Sequence, residues 1–343
     1  MTDCIVPSPL RICTTSKEAA TAIAHHSFAI LRLDSTTAAS LDRAGRAARA
    51  FFSSTQQSRP EVDTQKYRMI ADGDLFGYNV PSAAKVLFRA ICSDEIMGGS
   101  SSSSQKQPWP DDMDGGELRC ASVDVASRLH TLLVGCVDEV MLITKECMGI
   151  GSSSSVKSEG RMRQAQRKRK RVSSSATTCN AIPGNKKKEN SQDSTKKDAA
   201  IGTIHVPRTL EEAKYCPLDY FLYHGKSIVN DKPVINCSEH IDRGVLICVS
   251  LTGVPGLEVL CRSTQQFLCP ETLSKSTLRE SGFSDLVCVM AGDQLRKVAN
   301  VAMDTDSLND KGDKSDTFSA CVHRVKDKLE HVRLSITYEL RGT

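Results

Sequence analysis

One histidine–aspartate pair has the spacing of a metal site. His240 and Asp242 are separated by one residue, so in an extended segment their side chains point to the same face of the strand. A third ligand must come from elsewhere, and His323 lies in a strand-like run at 319–325. Two imidazoles and one carboxylate form the facial triad that holds Fe(II) and leaves positions open. His331 is the alternative distal histidine.

A group of polar residues that could bind an anion begins ten residues after His323. Arg333, Ser335 and Thr337 share one parity in the run 333–340, which alternates polar with apolar residues. A guanidinium binds both oxygens of a carboxylate, and a buried arginine needs an anionic partner. We therefore expect this face to point inward, toward a small anionic ligand.

Residues 201–343 have the pattern of a β domain. The runs 245–249, 286–290 and 333–340 are apolar or alternating and of strand length, and turn residues separate them. Several short strands of this kind are typical of an all-β sandwich or barrel.

Residues 1–148 are predicted to be mostly helical, with one early strand at 27–33. Apolar residues recur at helical spacing in 37–52 and 120–148. Within this region, 98–117 is rich in Ser, Gly and Pro and is expected to be a low-complexity loop.

The segment 149–200 is predicted to be a disordered basic insertion, because it has almost no large apolar residues. It holds 13 Lys/Arg against 4 Asp/Glu, whereas the whole chain of 343 residues has a formal net charge of +4. The remaining chain is therefore slightly acidic, which argues against a broad basic face for nucleic acid.

The basic runs at 167–171 and 186–188 allow two interpretations. One is a bipartite nuclear import signal read by an import receptor; the other is a solvated loop without that role. No aromatic residues are interleaved to stack bases, so direct nucleic-acid binding is not expected.

The remaining composition favours a soluble protein of the nucleus, the cytoplasm or both. No run approaches the roughly 20 apolar residues of a membrane span, and the start of the chain lacks the pattern of a secretory signal. The 14 cysteines include no C-x-x-C pair, so reduced thiols are expected instead of disulfides or a zinc finger.

Further motifs around these residues carry a family resemblance. Segments 240–246, 254–259, 291–295 and 323–325 are similar to the H-x-D-x-G-L-L, V-P-G-L-Q-V, G-D-x-L and H-R-V motifs of one family. Together with R-x-S, they resemble the iron- and 2-oxoglutarate-dependent dioxygenases, closest to the isopenicillin N synthase-like branch. The resemblance covers 216–341 clearly and 20–148 more weakly.

The resemblance implies a double-stranded β-helix, or jelly roll, with a helical N-terminal region packed against it. It implies that His240, Asp242 and His323 bind Fe(II), that O2 is a substrate, and that ascorbate is an additional reductant. In this family 2-oxoglutarate is oxidised to succinate and CO2 while a small-molecule substrate is oxidised, usually hydroxylated. No further catalytic residue is implied.

For the cosubstrate, the resemblance implies that Arg333 and Ser335 bind the distal carboxylate of 2-oxoglutarate. Tyr223 is the candidate for the family's N-x-Y tyrosine, although the asparagine is absent. Asp219 is expected to be solvated. The 81 residues from Asp242 to His323 exceed the branch's usual spacing, and we expect loops at 261–283 and 304–316 to absorb the excess.

Two alternatives remain open from the sequence. One is an iron oxidase with a different cosubstrate, since R-x-S also occurs in relatives that bind another carboxylate. The other is a non-catalytic jelly-roll binding protein that the basic insertion recruits to a nuclear partner.

Overall fold

The computed structural model describes twelve segments of the chain. They are 8–57, 68–71, 74–82, 84–92, 115–147, 204–225, 228–229, 232–233, 236–276, 278–304, 318–326 and 329–343. The insertion at 149–200, most of the 98–117 loop and nearly all of the loop at 304–316 lie outside these residues.

The described segments contain fifteen β-strands and four α-helices. The strands are β1 (Ile12–Cys13), β2 (Phe28–Arg32), β3 (Arg68–Ala71), β4 (Asp74–Ser82), β5 (Lys85–Ile91), β6 (Pro217–Tyr223), β7 (Ile228–Val229), β8 (Lys232–Pro233), β9 (Cys237–His240), β10 (Leu246–Thr252), β11 (Leu257–Cys261), β12 (Gln266–Leu268), β13 (Phe283–Ala291), β14 (His323–Val325) and β15 (Arg333–Leu340). The helices are α1 (Ser16–His26), α2 (Ser35–Gln57), α3 (Gly115–Cys147) and α4 (Asp293–Asp304). A 3-10 helix spans Pro270–Ser276.

Two sheets form the body of the fold. The major sheet has nine strands in the order β1-β2-β13-β10-β15-β6-β5-β4-β3, and the minor sheet has four in the order β12-β11-β14-β9. Apolar residues from the facing sides, such as Ile247, Val249, Leu257 and Val259, form one buried cluster between them. This is the predicted jelly-roll arrangement.

The helices cover the other face of the major sheet. Alternation along β15 places Leu334, Ile336 and Tyr338 in a second buried cluster, together with helix residues such as Ile23 and Leu129. Because Arg333 and Ser335 have the opposite parity, they face the minor sheet. One strand thus supplies both the support for the helices and the polar lining of the interior.

Helix α3 is long and apolar enough, by length and composition, to cross a membrane. Half of its most apolar window is buried in the fold, and Val125, Leu129 and Leu133 are buried within the helix-side core. These are the properties of a core helix.

The N-terminal region differs from the prediction in its strand content. Besides β1 and β2, it contributes β3, β4 and β5, which extend the major sheet beyond β6. The pairing of β5 with β6, from Lys85↔Tyr223 to Ile91↔Pro217, joins segments that are far apart in the chain. Helices α1, α2 and α3 still contain most of the described residues of this region. The expectation of one early strand was too low, because local periodicity does not register such a long-range pairing.

Two predicted loops also contain regular structure. Helix α3 begins at Gly115, so the last three residues of the 98–117 range are helical. The 261–283 range includes β12 and the 3-10 helix. The second of these corrections bears on the site, because the 3-10 helix carries Glu271.

Close contact between two backbone turns holds the H-x-D segment in place. Asp293 N donates to Asp242 O at 3.0 Å, and Gly292 N donates to Val245 O at 3.1 Å. A Cβ at Gly292 would lie 2.0 Å from the carbonyl oxygen of Gly244. Only glycine fits between these turns without moving one of them.

We therefore expect Gly292→Ala to destabilise the fold. Overpacking costs about 1–3 kcal/mol, measurable as a lower free energy of unfolding in denaturant. Gly116→Ala is the matched control, because a Cβ there meets nothing within 4 Å. Equal stability of the two variants would contradict this account of the turn contact.

Candidate metal and cosubstrate site

The structure brings His240, Asp242 and His323 together at one end of the space between the sheets. In the pairing of β9 with β14, His240 lies directly opposite His323, and their ring centroids are 4.2 Å apart. Asp242 follows β9 and its carboxylate reaches both rings. Its Oδ1 is 3.6 Å from His240 Nε2 and its Oδ2 is 3.3 Å from His323 Nε2.

Backbone carbonyls orient both imidazoles. His240 Nδ1 lies 2.8 Å from Ser238 O, and His323 Nδ1 lies 3.3 Å from Cys321 O. A carbonyl oxygen only accepts, so each Nδ1 carries the donating hydrogen. The other ring nitrogen, Nε2, is the one directed toward Asp242, as a metal ligand requires.

Burial and neighbouring groups shift the pKa values of the three residues. Burial lowers the pKa of His323 to about 4, which keeps its ring neutral. Burial raises the pKa of the Asp242 carboxyl, against the effect of His240. Hydrogen bonding to Cys237 raises the pKa of His240 to about 9. Since a histidine ligand must be neutral, a metal here competes with a proton on His240.

These residues fit Fe(II). The candidate ligand atoms of His240, Asp242 and His323 all lie within 4.8 Å of one another. Two imidazoles and one carboxylate on one side of an ion form the 2-His-1-carboxylate donor set of non-haem iron sites. His331 is exposed and does not belong to this cluster.

A cavity of about 300 Å³ extends from the three residues between the sheets. Its lining includes Arg333, Ser335 and Tyr223, the three residues expected to bind the cosubstrate. The register explains their proximity, because Arg333 pairs with Tyr223 and Ser335 pairs with Phe221. Directly opposed residues point to the same face of a sheet.

Arg333 makes a buried ion pair that the sequence did not reveal. Its Nε and Nη2 donate to Glu271 Oε1 at 3.0 and 2.7 Å, and the two side chains are 1% and 0% exposed. Glu271 Oε2 also accepts from the backbone nitrogens of Gly256 and Leu257. The anionic partner expected for Arg333 is therefore partly supplied by the protein itself.

Three polar groups in the cavity lining have no hydrogen-bond partner among the described residues. They are Arg333 Nη1, the Ser335 hydroxyl and the Tyr223 hydroxyl, on residues that are 1%, 2% and 3% exposed. All three residues line the cavity, so a ligand there can accept hydrogen bonds from these groups. A carboxylate is the complementary ligand, since all three groups can donate to it. The residues present thus fit the distal end of 2-oxoglutarate.

A network of charged side chains lines the cavity near Asp242. Arg89 donates through Nε and Nη2 to the two carboxylate oxygens of Asp219, at 2.7 Å each, and also pairs with Asp74. Glu339 accepts from Gly244 N at 2.7 Å. The expectation that Asp219 is solvated was wrong, because this side chain is 7% exposed and bound by Arg89.

Sequence reasoning missed Glu271, Arg89 and Lys85. Arg89 and Lys85 lie on β5 and line the same cavity. Lys85, Leu87 and Arg89 have one parity in an otherwise apolar run, which was an available strand signal. Glu271 offered no such signal, since it lies in a segment expected to be a loop.

We predict that His323→Ala weakens Fe(II) binding by at least about 100-fold, because loss even of an outer-shell partner costs 10–100-fold. His331→Ala is the matched control and should leave Fe(II) affinity unchanged. Anaerobic equilibrium titration with Fe(II) measures both, and thermal unfolding checks the fold of each variant. The assignment would be overturned if His331→Ala caused the larger loss.

The chain is similar to known proteins in structure, but no similarity is found in sequence comparisons. No protein-family model matches the sequence, and no curated protein matches it significantly. A putative oxygenase from Shewanella oneidensis superposes with a TM-score of 0.53 at 13% identity, over 95% of this chain and 86% of the other.

Two eukaryotic structures are similar to the same extent. A full-length Neurospora crassa protein, in complex with alpha-KG (2-oxoglutarate) and thymine, has a TM-score of 0.56 at 14% identity, over 96% of this chain and 80% of the other. The rice dioxygenase for auxin oxidation has a TM-score of 0.51 at 15% identity, over 95% and 77%. The chain therefore has the jelly-roll fold of the 2-oxoglutarate/Fe(II) oxygenases, as its sequence motifs predicted.

Proposed function

We propose that the chain is an Fe(II)- and 2-oxoglutarate-dependent dioxygenase that oxidises a small molecule. One observation carries the proposal: a 2-His-1-carboxylate cluster and three unpartnered donors for a carboxylate, among the residues described, line a single cavity. His240, Asp242 and His323 are assigned to the metal. Arg333, Ser335 and Tyr223 are assigned to the cosubstrate.

The protein's contribution is orientation. With Fe(II) bound, the reaction would convert 2-oxoglutarate, O2 and a C–H bond to succinate, CO2 and a C–OH group. This reaction balances without a further reductant, so ascorbate would serve only to keep the iron in the Fe(II) state. His240 and His323 present their Nε2 atoms to the metal, because carbonyls hold a hydrogen on each Nδ1. Arg333, Ser335 and Tyr223 fix the distal carboxylate, which sets the direction of the keto acid toward the metal ligands.

A small-molecule substrate is favoured by the size of the cavity. About 300 Å³ is at the lower end of the range for ligand pockets, and the cosubstrate would occupy part of it. The similar Neurospora crassa structure contains thymine, and the similar rice enzyme is described by auxin oxidation. Both descriptions are consistent with a small organic substrate here.

We predict that Asp242→Ala lowers succinate formation from 2-oxoglutarate by at least about 100-fold, since it removes the carboxylate of the cluster. The assay is turnover without primary substrate, with Fe(II) and ascorbate present. Asp138→Ala is the control, because Asp138 is half exposed and pairs with Arg208. Full activity of Asp242→Ala would refute the assignment of the metal site.

A second candidate, an iron oxidase with a different cosubstrate, is favoured by the Arg333–Glu271 pair. This pair leaves the arginine with one nitrogen, Nη1, unpartnered among the described residues. Metal-dependent consumption of O2 without conversion of 2-oxoglutarate would support this candidate. Metal binding with no turnover of any kind would instead favour a non-catalytic binding protein.

We also propose that the basic runs at 167–171 and 186–188 act as a nuclear import signal for an import receptor. The support is compositional, because the two runs are short, dense in Lys and Arg, and lie in a segment with few apolar residues. The alternative is a protein distributed through the cytoplasm with an inert basic loop.

We expect deletion of residues 161–188 to abolish nuclear enrichment of a tagged full-length protein. A second variant replaces residues 161–188 with an uncharged Gly/Ser linker of equal length. It should also lose nuclear enrichment, which would show that the basic charge matters and not the length of the segment. Fluorescence microscopy measures the ratio of nuclear to cytoplasmic signal. Unchanged enrichment in both variants would refute the import role.

A further inference from the structure

The buried ion pair changes the charge that Arg333 presents to the cavity. Glu271 is fully buried and takes two hydrogen bonds from the guanidinium. At contact distance, the two opposite charges largely cancel when seen from the cavity. Arg333 can still direct a hydrogen bond from Nη1, but the pair as a unit offers no net positive charge to an anion.

A second cation lies in the same row of the major sheet. Lys85 pairs with Tyr223 across β5 and β6, and Tyr223 pairs with Arg333 across β6 and β15. All three side chains therefore point to the same face and line the cavity. Lys85 Nζ lies 5.9 Å from the Tyr223 ring centroid, and Arg333 Cζ lies 5.6 Å from it.

Lys85 differs from Arg89 and Arg333, which both have carboxylate partners, in having none among the described residues. Among the residues that the structure describes, no acidic group lies within ion-pair distance of its Nζ, which instead lies 5.4 Å from the centroid of the Phe221 ring. Arg89, by contrast, is paired with Asp219 and Asp74. Within the described part of the lining, the half-buried ammonium of Lys85 thus carries the uncompensated positive charge.

We propose that Lys85 binds the distal carboxylate of the cosubstrate together with Arg333, and supplies the positive charge that Glu271 cancels. This inference rests on the proposed function. The carboxylate is oriented by hydrogen bonds from Arg333 Nη1, Ser335 and Tyr223. It is attracted by the positive charge of Lys85. A dicarboxylate is thereby distinguished from a keto acid with an apolar end.

The test compares two keto acids that differ only at the distal end. Binding of 2-oxoglutarate and of 2-oxovalerate, which has a methyl group in place of the distal carboxylate, is measured by calorimetry on the Mn(II)-loaded full chain. Lys85→Met should raise the Kd of 2-oxoglutarate about 10- to 100-fold, the value of a hydrogen bond to a charged group. It should leave the Kd of 2-oxovalerate unchanged.

Two further variants complete the design. Lys85→Gln keeps a polar side chain without the charge and should behave as Lys85→Met does, which covers a folding failure of either one. Lys145→Met replaces an exposed lysine near the end of α3 and should change neither Kd.

Three outcomes would overturn the proposal. An unchanged Kd of 2-oxoglutarate in the Lys85 variants would leave the carboxylate to Arg333, Ser335 and Tyr223 without Lys85. Equal weakening of both keto acids would indicate a structural role. If the wild-type chain bound 2-oxoglutarate no more tightly than 2-oxovalerate, both this inference and the proposed cosubstrate would fail. The first two outcomes leave the proposed function intact.

Discussion

The buried contact between Arg333 and Glu271 ties together the elements that form the cavity. Glu271 receives the guanidinium of Arg333 at the start of β15 and the backbone nitrogens of Gly256 and Leu257 at the start of β11. It thereby links the major sheet to the minor sheet through the 3-10 helix. Removal of one member of such a pair typically costs about 3–5 kcal/mol, because the other charge remains buried.

The contact between Arg333 and Glu271 joins the sheet that carries the two histidines to the sheet that carries the cations of the cavity. The minor sheet supplies His240 and His323 by pairing them across β9 and β14. The major sheet supplies Arg333, Tyr223 and Lys85 from adjacent strands. Because the two sheets face each other across an otherwise apolar interior, the proposed metal ligands and the proposed anion-binding groups meet in the cavity between them.

The sequence predicted those features of the fold and site that depend on residues close together in the chain. It did not predict features that depend on contacts between distant segments. The parity of Arg333 and Ser335 and the H-x-D spacing are local, and the structure places these residues in one cavity. The β3–β4 and β4–β5 pairings are local hairpins, whereas the pairing of β5 with β6 and the contact of Arg333 with Glu271 join distant segments. The alternation of residues 85–91 could have identified Lys85 as a strand residue, but its place beside Tyr223 and the burial of Glu271 follow only from long-range contacts.

The proposed function requires one cavity to hold both Fe(II) and 2-oxoglutarate. Anaerobic titration of the Fe(II)-loaded protein with 2-oxoglutarate tests it most directly, because chelation of Fe(II) by a keto acid produces a visible charge-transfer band. We predict a saturable band that requires both Fe(II) and 2-oxoglutarate and reaches one equivalent of each per chain. Binding of 2-oxoglutarate that is independent of the metal, with no such band, would contradict it.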